Sequence, residues 1–331
     1  MGFFLRFFIA FVFITNSLFA QTLTKEQINT ALQQAYNKFK GDMGGKNADY
    51  IKALAKVDPN LFGIAFVDTK GNIYKVGDTT SEVSIQSISK VFTAALVMSE
   101  RGTSFLKQKI GVNATGLPFN SVLAIELHNG SASNPFVNAG AIQSVSWVRA
   151  KDSKERWNKI HANISAFAGR NLTLNQEVYA SELADNKRNQ AIAKLLDAYG
   201  RMGSDPLQAT TVYTKQCSLN VNATDLATMA ATIANHGINP QTKARVLSSE
   251  ITPKLMAVMI TAGLYDSAGE WLYKTGVPAK SGVGGGIIAV IPGVGGVAVI
   301  SPPLDKYGNS VRAQLAIEYI INRLDLNPLA K

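Results

Sequence analysis

A serine and a lysine three residues apart carry the first chemical signal. In SIQSISKVFTAALVM (residues 84–98), Ser87 and Lys90 stand at the front of an almost wholly apolar run, in which Thr93 is the only polar residue after Lys90. On a helix, positions i and i+3 share a face. Ser87 would then lie in the first turn, where unpaired backbone N–H groups and the positive end of the helix dipole favour developing negative charge. A serine hydroxyl is a weak nucleophile until a base removes its proton. A lysine can be that base only when neutral, and desolvation favours the neutral amine. Val91, Phe92, Ala94 and Val97 supply such surroundings. Alone, S-x-x-K is a weak signal and reads equally as a helix cap beside a snorkelling lysine.

A second element strengthens the catalytic reading. AKSGVGGGIIAVIP (residues 279–292) puts Lys280, Ser281 and Gly282 on the edge of a C-terminal strand. S-x-x-K followed far downstream by K-[ST]-G is the layout of penicillin-binding proteins and β-lactamases, in which the strand lies beside the serine. The pair of motifs points to a serine acyl-transfer enzyme. Gly284, Gly285 and Gly286 lack the spacing of a phosphate-binding loop and precede no helix signal.

The elements that must position these residues follow from periodicity. Apolar residues at helical spacing predict a helix over 23–39. GIAFVDTKGNIYKVG predicts a hairpin, with strands at 64–67 and 72–76 around a turn at 68–71. The segment after Ser84 is apolar nearly all round, as in a buried helix, and ends near Gly102. Residues 91–262 are mostly helical in pattern, with loops at 111–119 and 129–134. One helix reads over 223–237, with Thr224 as its cap and Gly237 as its stop. Strands return at 287–291 and 297–301 around a glycine-rich turn, and a last helix spans 310–324. Strands near both ends and helices between them give an α+β arrangement: an antiparallel sheet from the N- and C-terminal segments, helices packed on it, and a helical region inserted. The α/β part is expected at about 21–90 and 263–331, and the helical part at about 91–262.

Composition bounds the rest. The chain has 331 residues, 46% hydrophobic and 17% charged, enough for a sizeable core. The formal charge of +10 is spread along the chain, and the densest basic run, RAKDSKERWNK, is broken by Asp152 and Glu155. That is a solvated helix face, and no nucleic-acid partner is expected. Cys217 is the only cysteine, so no intrachain disulfide or thiolate metal cage can form. His128, His161 and His236 lack metal-ligand spacing, so no metal and no cofactor are expected. The N-terminus carries Arg6, an apolar run from Phe7 to Ile14, and LFA before Gln21. That is a signal-peptide pattern over 1–20, although Leu18 is larger than an ideal residue at its position. It leads to the expectation of an exported protein, periplasmic or secreted, with no stable membrane span after processing.

From about Gln27 to Asn327 the chain resembles the serine-dependent glutaminases of β-lactamase-like fold. The blocks ADYIKALAKVDPNLFGIAFVD, IQSISKVF, GLPFN, NPFVNAGAI, SELADNKRNQAIA, QCSLNVNATDLATMAATIANHG, GLYD, PAKSGVGGGI and SPPLDKYGNSVR occur in family order. The resemblance implies hydrolysis of L-glutamine to L-glutamate and ammonia. It implies Ser87 as nucleophile, Lys90 as its base partner, and Tyr265 as a further active-site tyrosine; the proton for the leaving nitrogen comes from Lys90 or from Tyr265. It assigns substrate contacts to Tyr50, Asn138, Glu182, Asn189, Tyr213 and Tyr265, and a backbone N–H to Val283. Lys280 is then left to hold local charge balance. A homodimer or homotetramer is also implied. Two other readings share the same motifs: a penicillin-recognising hydrolase, and a non-catalytic glutamine-binding protein.

Overall fold

The computed structural model describes residues 23–330, so the leader read at 1–20 lies outside the described residues. The first helix, Lys25–Phe39, starts at a capping box formed by Thr24 and Gln27. Five strands form the main sheet: β1 (Gly63–Asp68), β2 (Ile73–Gly77) and, after a two-residue strand β3 (Val83–Ser84) and its partner β4 (Asn220–Val221), β5 (Ala279–Gly282), β6 (Gly286–Ile291) and β7 (Gly295–Ile300). The order is β2-β1-β7-β6-β5, antiparallel throughout. The chain therefore closes its N-terminal hairpin onto its C-terminal one through the β1–β7 pair, with Gly63 opposite Ile300. This is the α+β arrangement expected from the sequence.

Strand alternation divides the interior into two cores. Ile64, Phe66, Ile287, Ala289, Val297 and Val299 point to one face, where they meet the Lys25–Phe39 helix and the C-terminal helix Val311–Arg323. Ala65, Val67, Ile288, Val290, Ala298 and Ile300 point to the other, against the helices between β3 and β5. Both faces are covered, so the central strands are apolar without polar alternation. Among the described residues no helix is long and apolar enough to cross a membrane.

The helix lying directly on the sheet is Ala223–Ala234. Its cap is Asn222, not Thr224: the Asn222 side chain accepts from the Asp225 N–H, and Asp225 returns the bond to the Asn222 N–H. The reciprocal pair selects the earlier residue. A Cβ on Gly296 of β7 would lie 2.3 Å from the Ala231 nitrogen and 2.5 Å from the Ala227 oxygen. Helix backbone and strand backbone touch there because glycine and alanine leave nothing between them.

The expected helix around Ser84–Gly102 differs in its opening. Ser87 lies in a one-turn 3-10 segment, Gln86–Ile88, and the α-helix proper is Ser89–Arg101. Ile85 is tied to the Leu219 carbonyl, and Gln86 takes φ +50. The chain thus turns sharply off the β3–β4 ribbon before the helix begins. The turn after β6 is also tighter than expected, with β7 starting at Gly295.

Gly296→Ala should destabilise the protein by about 1–3 kcal/mol through overpacking, with a lowered midpoint in thermal or urea unfolding. Gly269→Ala, where the added methyl meets open space within the helix Ala268–Thr275, is the control and should be neutral or stabilising.

Candidate active site

The 3-10 turn brings Ser87 to the floor of a cleft of about 240 Å³, the size of a small metabolite. The turn is held from behind by a buried polar chain: Ser89 Oγ donates to the Gln86 carbonyl at 2.7 Å, Gln216 donates to Ser89 Oγ at 3.2 Å, and Thr93 donates to Gln216 at 2.7 Å. β5 closes the other side, as a Cβ on Gly282 would lie 2.8 Å from the Ile85 oxygen. The strand edge carrying Lys280, Ser281 and Gly282 therefore does lie beside the serine. Val283 follows it and lines the cleft.

Lys90 is fully buried one step into the Ser89–Arg101 helix. Its Nζ donates to Asn138 Oδ1 at 2.7 Å and to the Phe136 carbonyl at 3.1 Å. It forms no hydrogen bond with Ser87. A neutral amine has two N–H bonds and one lone pair, so these two acceptors leave one position of the nitrogen uncommitted. Burial lowers its pKa to about 8, with Cys217 and Glu182 acting in the opposite sense.

Asn138 opens the helix Asn138–Trp147 and organises the rest. Its Oδ1 also accepts from the Tyr213 hydroxyl at 3.2 Å, and its Nδ2 donates to Asn189 Oδ1 at 3.0 Å. Tyr213 is enclosed, and burial raises its phenol well above the ordinary range. Glu182, on the helix Gln176–Ala184, accepts from Gln86 Nε2 at 2.6 Å. Burial lifts its carboxyl to about 7, while Gln86 and Lys90 favour the ionised form. Tyr265 projects from a 3-10 turn, Tyr265–Ser267, at φ +54. Its hydroxyl approaches the Ser281 carbonyl at 3.4 Å and lies near enough to Ser87 to interact with it electrostatically. Tyr50 lies at the rim, 59% exposed.

Ser87, Tyr50, Asn138, Glu182, Asn189, Tyr213 and Val283 line this cleft, while Lys90 and Tyr265 reach it through Asn138 and Ser87. Gln86 and Phe119 also belong to the site, although no role was assigned to either from the sequence. Gln86 fixes Glu182, and Phe119 packs on Tyr265 with ring centres 4.8 Å apart. Both fall inside quoted blocks, IQSISKVF and GLPFN, yet nothing local marks either as a site residue.

The antiparallel sheet, its inserted helices and this cleft define the β-lactamase-like class. A family model described as Glutaminase matches residues 45–328. A glutaminase of Colwellia psychrerythraea (strain 34H) is 52% identical over 300 residues, covering 91% of this chain and 96% of that protein. A glutaminase of Parabacteroides distasonis is 48% identical over 306 residues, covering 92% and 95%. Among solved structures, a probable glutaminase, ybaS, superposes with a TM-score of 0.91 at 45% identity, covering 92% of this chain and 99% of that one. A Bacillus glutaminase superposes with a TM-score of 0.82 at 25% identity. The chain belongs to the glutaminase family.

Proposed function

We propose that the chain hydrolyses L-glutamine to L-glutamate and ammonia through an acyl-enzyme on Ser87. The observation that carries this reading is the convergence, in one amino-acid-sized cleft, of a serine in contact with a phenol, a half-buried carboxylate and paired asparagine amides. Glutamine presents an ammonium and a carboxylate at one end and an amide at the other. Glu182 meets the ammonium, and Asn138 and Asn189 supply fixed polar partners at the same end. An unpaired polar group in such a site costs on the order of 1–3 kcal/mol, which disfavours ligands lacking either charge.

Ser87 Oγ attacks the side-chain amide carbon as its proton passes to neutral Lys90. The N–H groups of Ser87 and Val283 hold the oxyanion, each worth about 3 kcal/mol. Tyr265 gives its proton to the nitrogen as the C–N bond breaks and ammonia leaves; the phenolate regains a proton from Lys90. Water then attacks the γ-glutamyl ester, giving up its proton to Lys90, and Ser87 is reprotonated as glutamate departs.

Purified protein should release ammonia from glutamine and leave a chromogenic β-lactam intact, and Ser87→Ala should lose about 10³-fold or more in kcat while still binding glutamine. Lactam turnover without ammonia, or glutamine binding without ammonia from the unmodified protein, would replace this reading with one of its rivals.

The pKa directions give a pH profile. Catalysis needs neutral Lys90 and ionised Glu182, so protonation of either lowers the rate. With values of about 8 and about 7, log kcat/KM should fall as pH drops through the first and fall more steeply below the second. Glu182→Gln should remove the steeper part. A profile flat between about pH 5 and 9 would exclude the lysine-base role.

Export and a homodimeric or homotetrameric state are part of the same proposal. Export is supported by the leader pattern at 1–20 and assembly by the resemblance alone. Sequencing the mature N-terminus from fractionated cells should give Gln21 outside the cytoplasm; intact Met1 in the cytosolic fraction would end the export reading.

A further inference from the structure

Two lysines are buried at this cleft, and the chemistry above uses one. Lys280, on β5, is fully enclosed. Its Nζ donates to the Ser281 carbonyl at 2.6 Å and lies 4.2 Å from the centre of the Tyr265 ring. The Tyr265 hydroxyl approaches the same carbonyl and lies near Ser87. Amine, ring, hydroxyl and nucleophile therefore form one continuous line of contacts.

The placement is costly as mere packing. Among the described residues no carboxylate pairs with Lys280, and an apolar side chain of similar length would fill the space without desolvating an amine. Burial and the neighbouring Lys90 both push Lys280 toward its neutral form. The ionisable groups acting on the Lys280–Tyr265 pair are Lys90 and Cys217 from the helical side and Tyr50 from the rim. Tyr265 is itself held at φ +54, a conformation that a residue with a side chain keeps only when its surroundings over-determine it. Lys280 on the ring and Phe119 beside it are those surroundings.

We propose that Lys280 is a positioning residue for the reaction, acting through Tyr265: it holds the phenol against Ser87 and stabilises the negative charge that Tyr265 acquires on giving its proton to the leaving nitrogen. The face of an aromatic ring attracts the N–H dipoles of an amine, and a cation more strongly. The attraction grows as the phenol becomes a phenolate, so it is stronger in the transition state than in the resting enzyme, which is the condition for accelerating a step. When Lys280 is neutral, its N–H dipoles and its contact with the Ser281 carbonyl still fix the ring. The proposal rests on the acyl-enzyme reading of Ser87.

The test is a cycle of Lys280→Met, Tyr265→Phe and the double variant in the full chain, with the unmodified protein and Ser87→Ala alongside. Lys280→Met should lower kcat about 100-fold with KM within about threefold, and adding it to Tyr265→Phe should cost less than about threefold more. Lys280→Arg, which keeps N–H donors over the ring, should retain kcat within about tenfold. A Lys280→Met kcat within about threefold of the unmodified enzyme, or losses that multiply in the double variant, would overturn the proposal. If circular dichroism shows Lys280→Met unfolded, Lys280→Arg decides: retained kcat supports the proposal, and a loss as large as that of Tyr265→Phe overturns it. An active Ser87→Ala would instead strike at the acyl-enzyme reading, so the two failures are distinguishable.

Discussion

An amine with no access to water constrains every group around Lys90. Such a group must find acceptors for its N–H bonds or give up its charge, and here it does some of each. Its need for an acceptor fixes which way the Asn138 amide faces. With Oδ1 engaged by Lys90 and Tyr213, the NH₂ must point toward Asn189. One desolvated nitrogen thereby sets the polarity of the wall of the proposed substrate cleft.

The same constraint explains the scaffold. A lysine can be sealed off at a helix start only if the helix is apolar all round and other elements cover it. The Ser89–Arg101 helix meets the first condition with Val91, Phe92, Ala94, Ala95 and Val97. The helices Asn138–Trp147 and Pro206–Cys217 meet the second by bringing Asn138 and Tyr213 over it. β5 and the Tyr265 turn close on the serine turn that precedes the helix, through a glycine contact and a positive φ respectively. Two of the seven described non-glycine residues with positive φ, Gln86 and Tyr265, flank the serine, so part of the backbone strain lies where the chemistry is proposed.

Much of this is legible in the sequence. Alternation and short apolar runs exposed the β1–β2 and β6–β7 hairpins, because strand pairing in sequence-adjacent segments is written locally. The buried helix was legible from its lack of a polar face. The break at Gln86 was not, since it is set by the Leu219 carbonyl and Glu182, the nearer of them 96 positions away. Asn222 as cap was available in principle from the N-x-x-D spacing but competed with Thr224, an equally good capping residue. In the site, Ser87, Lys90 and Lys280 stood out by type and spacing. Asn138, Glu182, Asn189, Tyr213 and Tyr265 became visible only through resemblance to a family. A lone asparagine or tyrosine carries no local mark, and its role exists only once helices distant in sequence converge.

The contact between β5 and the serine turn has a consequence for the life of the chain before it is complete. Ser87 emerges from the ribosome early, but the strand that walls it in is residues 279–282, near the other terminus. A nascent or C-terminally clipped polypeptide can carry the proposed nucleophile and still lack the wall that seats it. Synthesis order therefore places the wall of the cleft after the residue it seats.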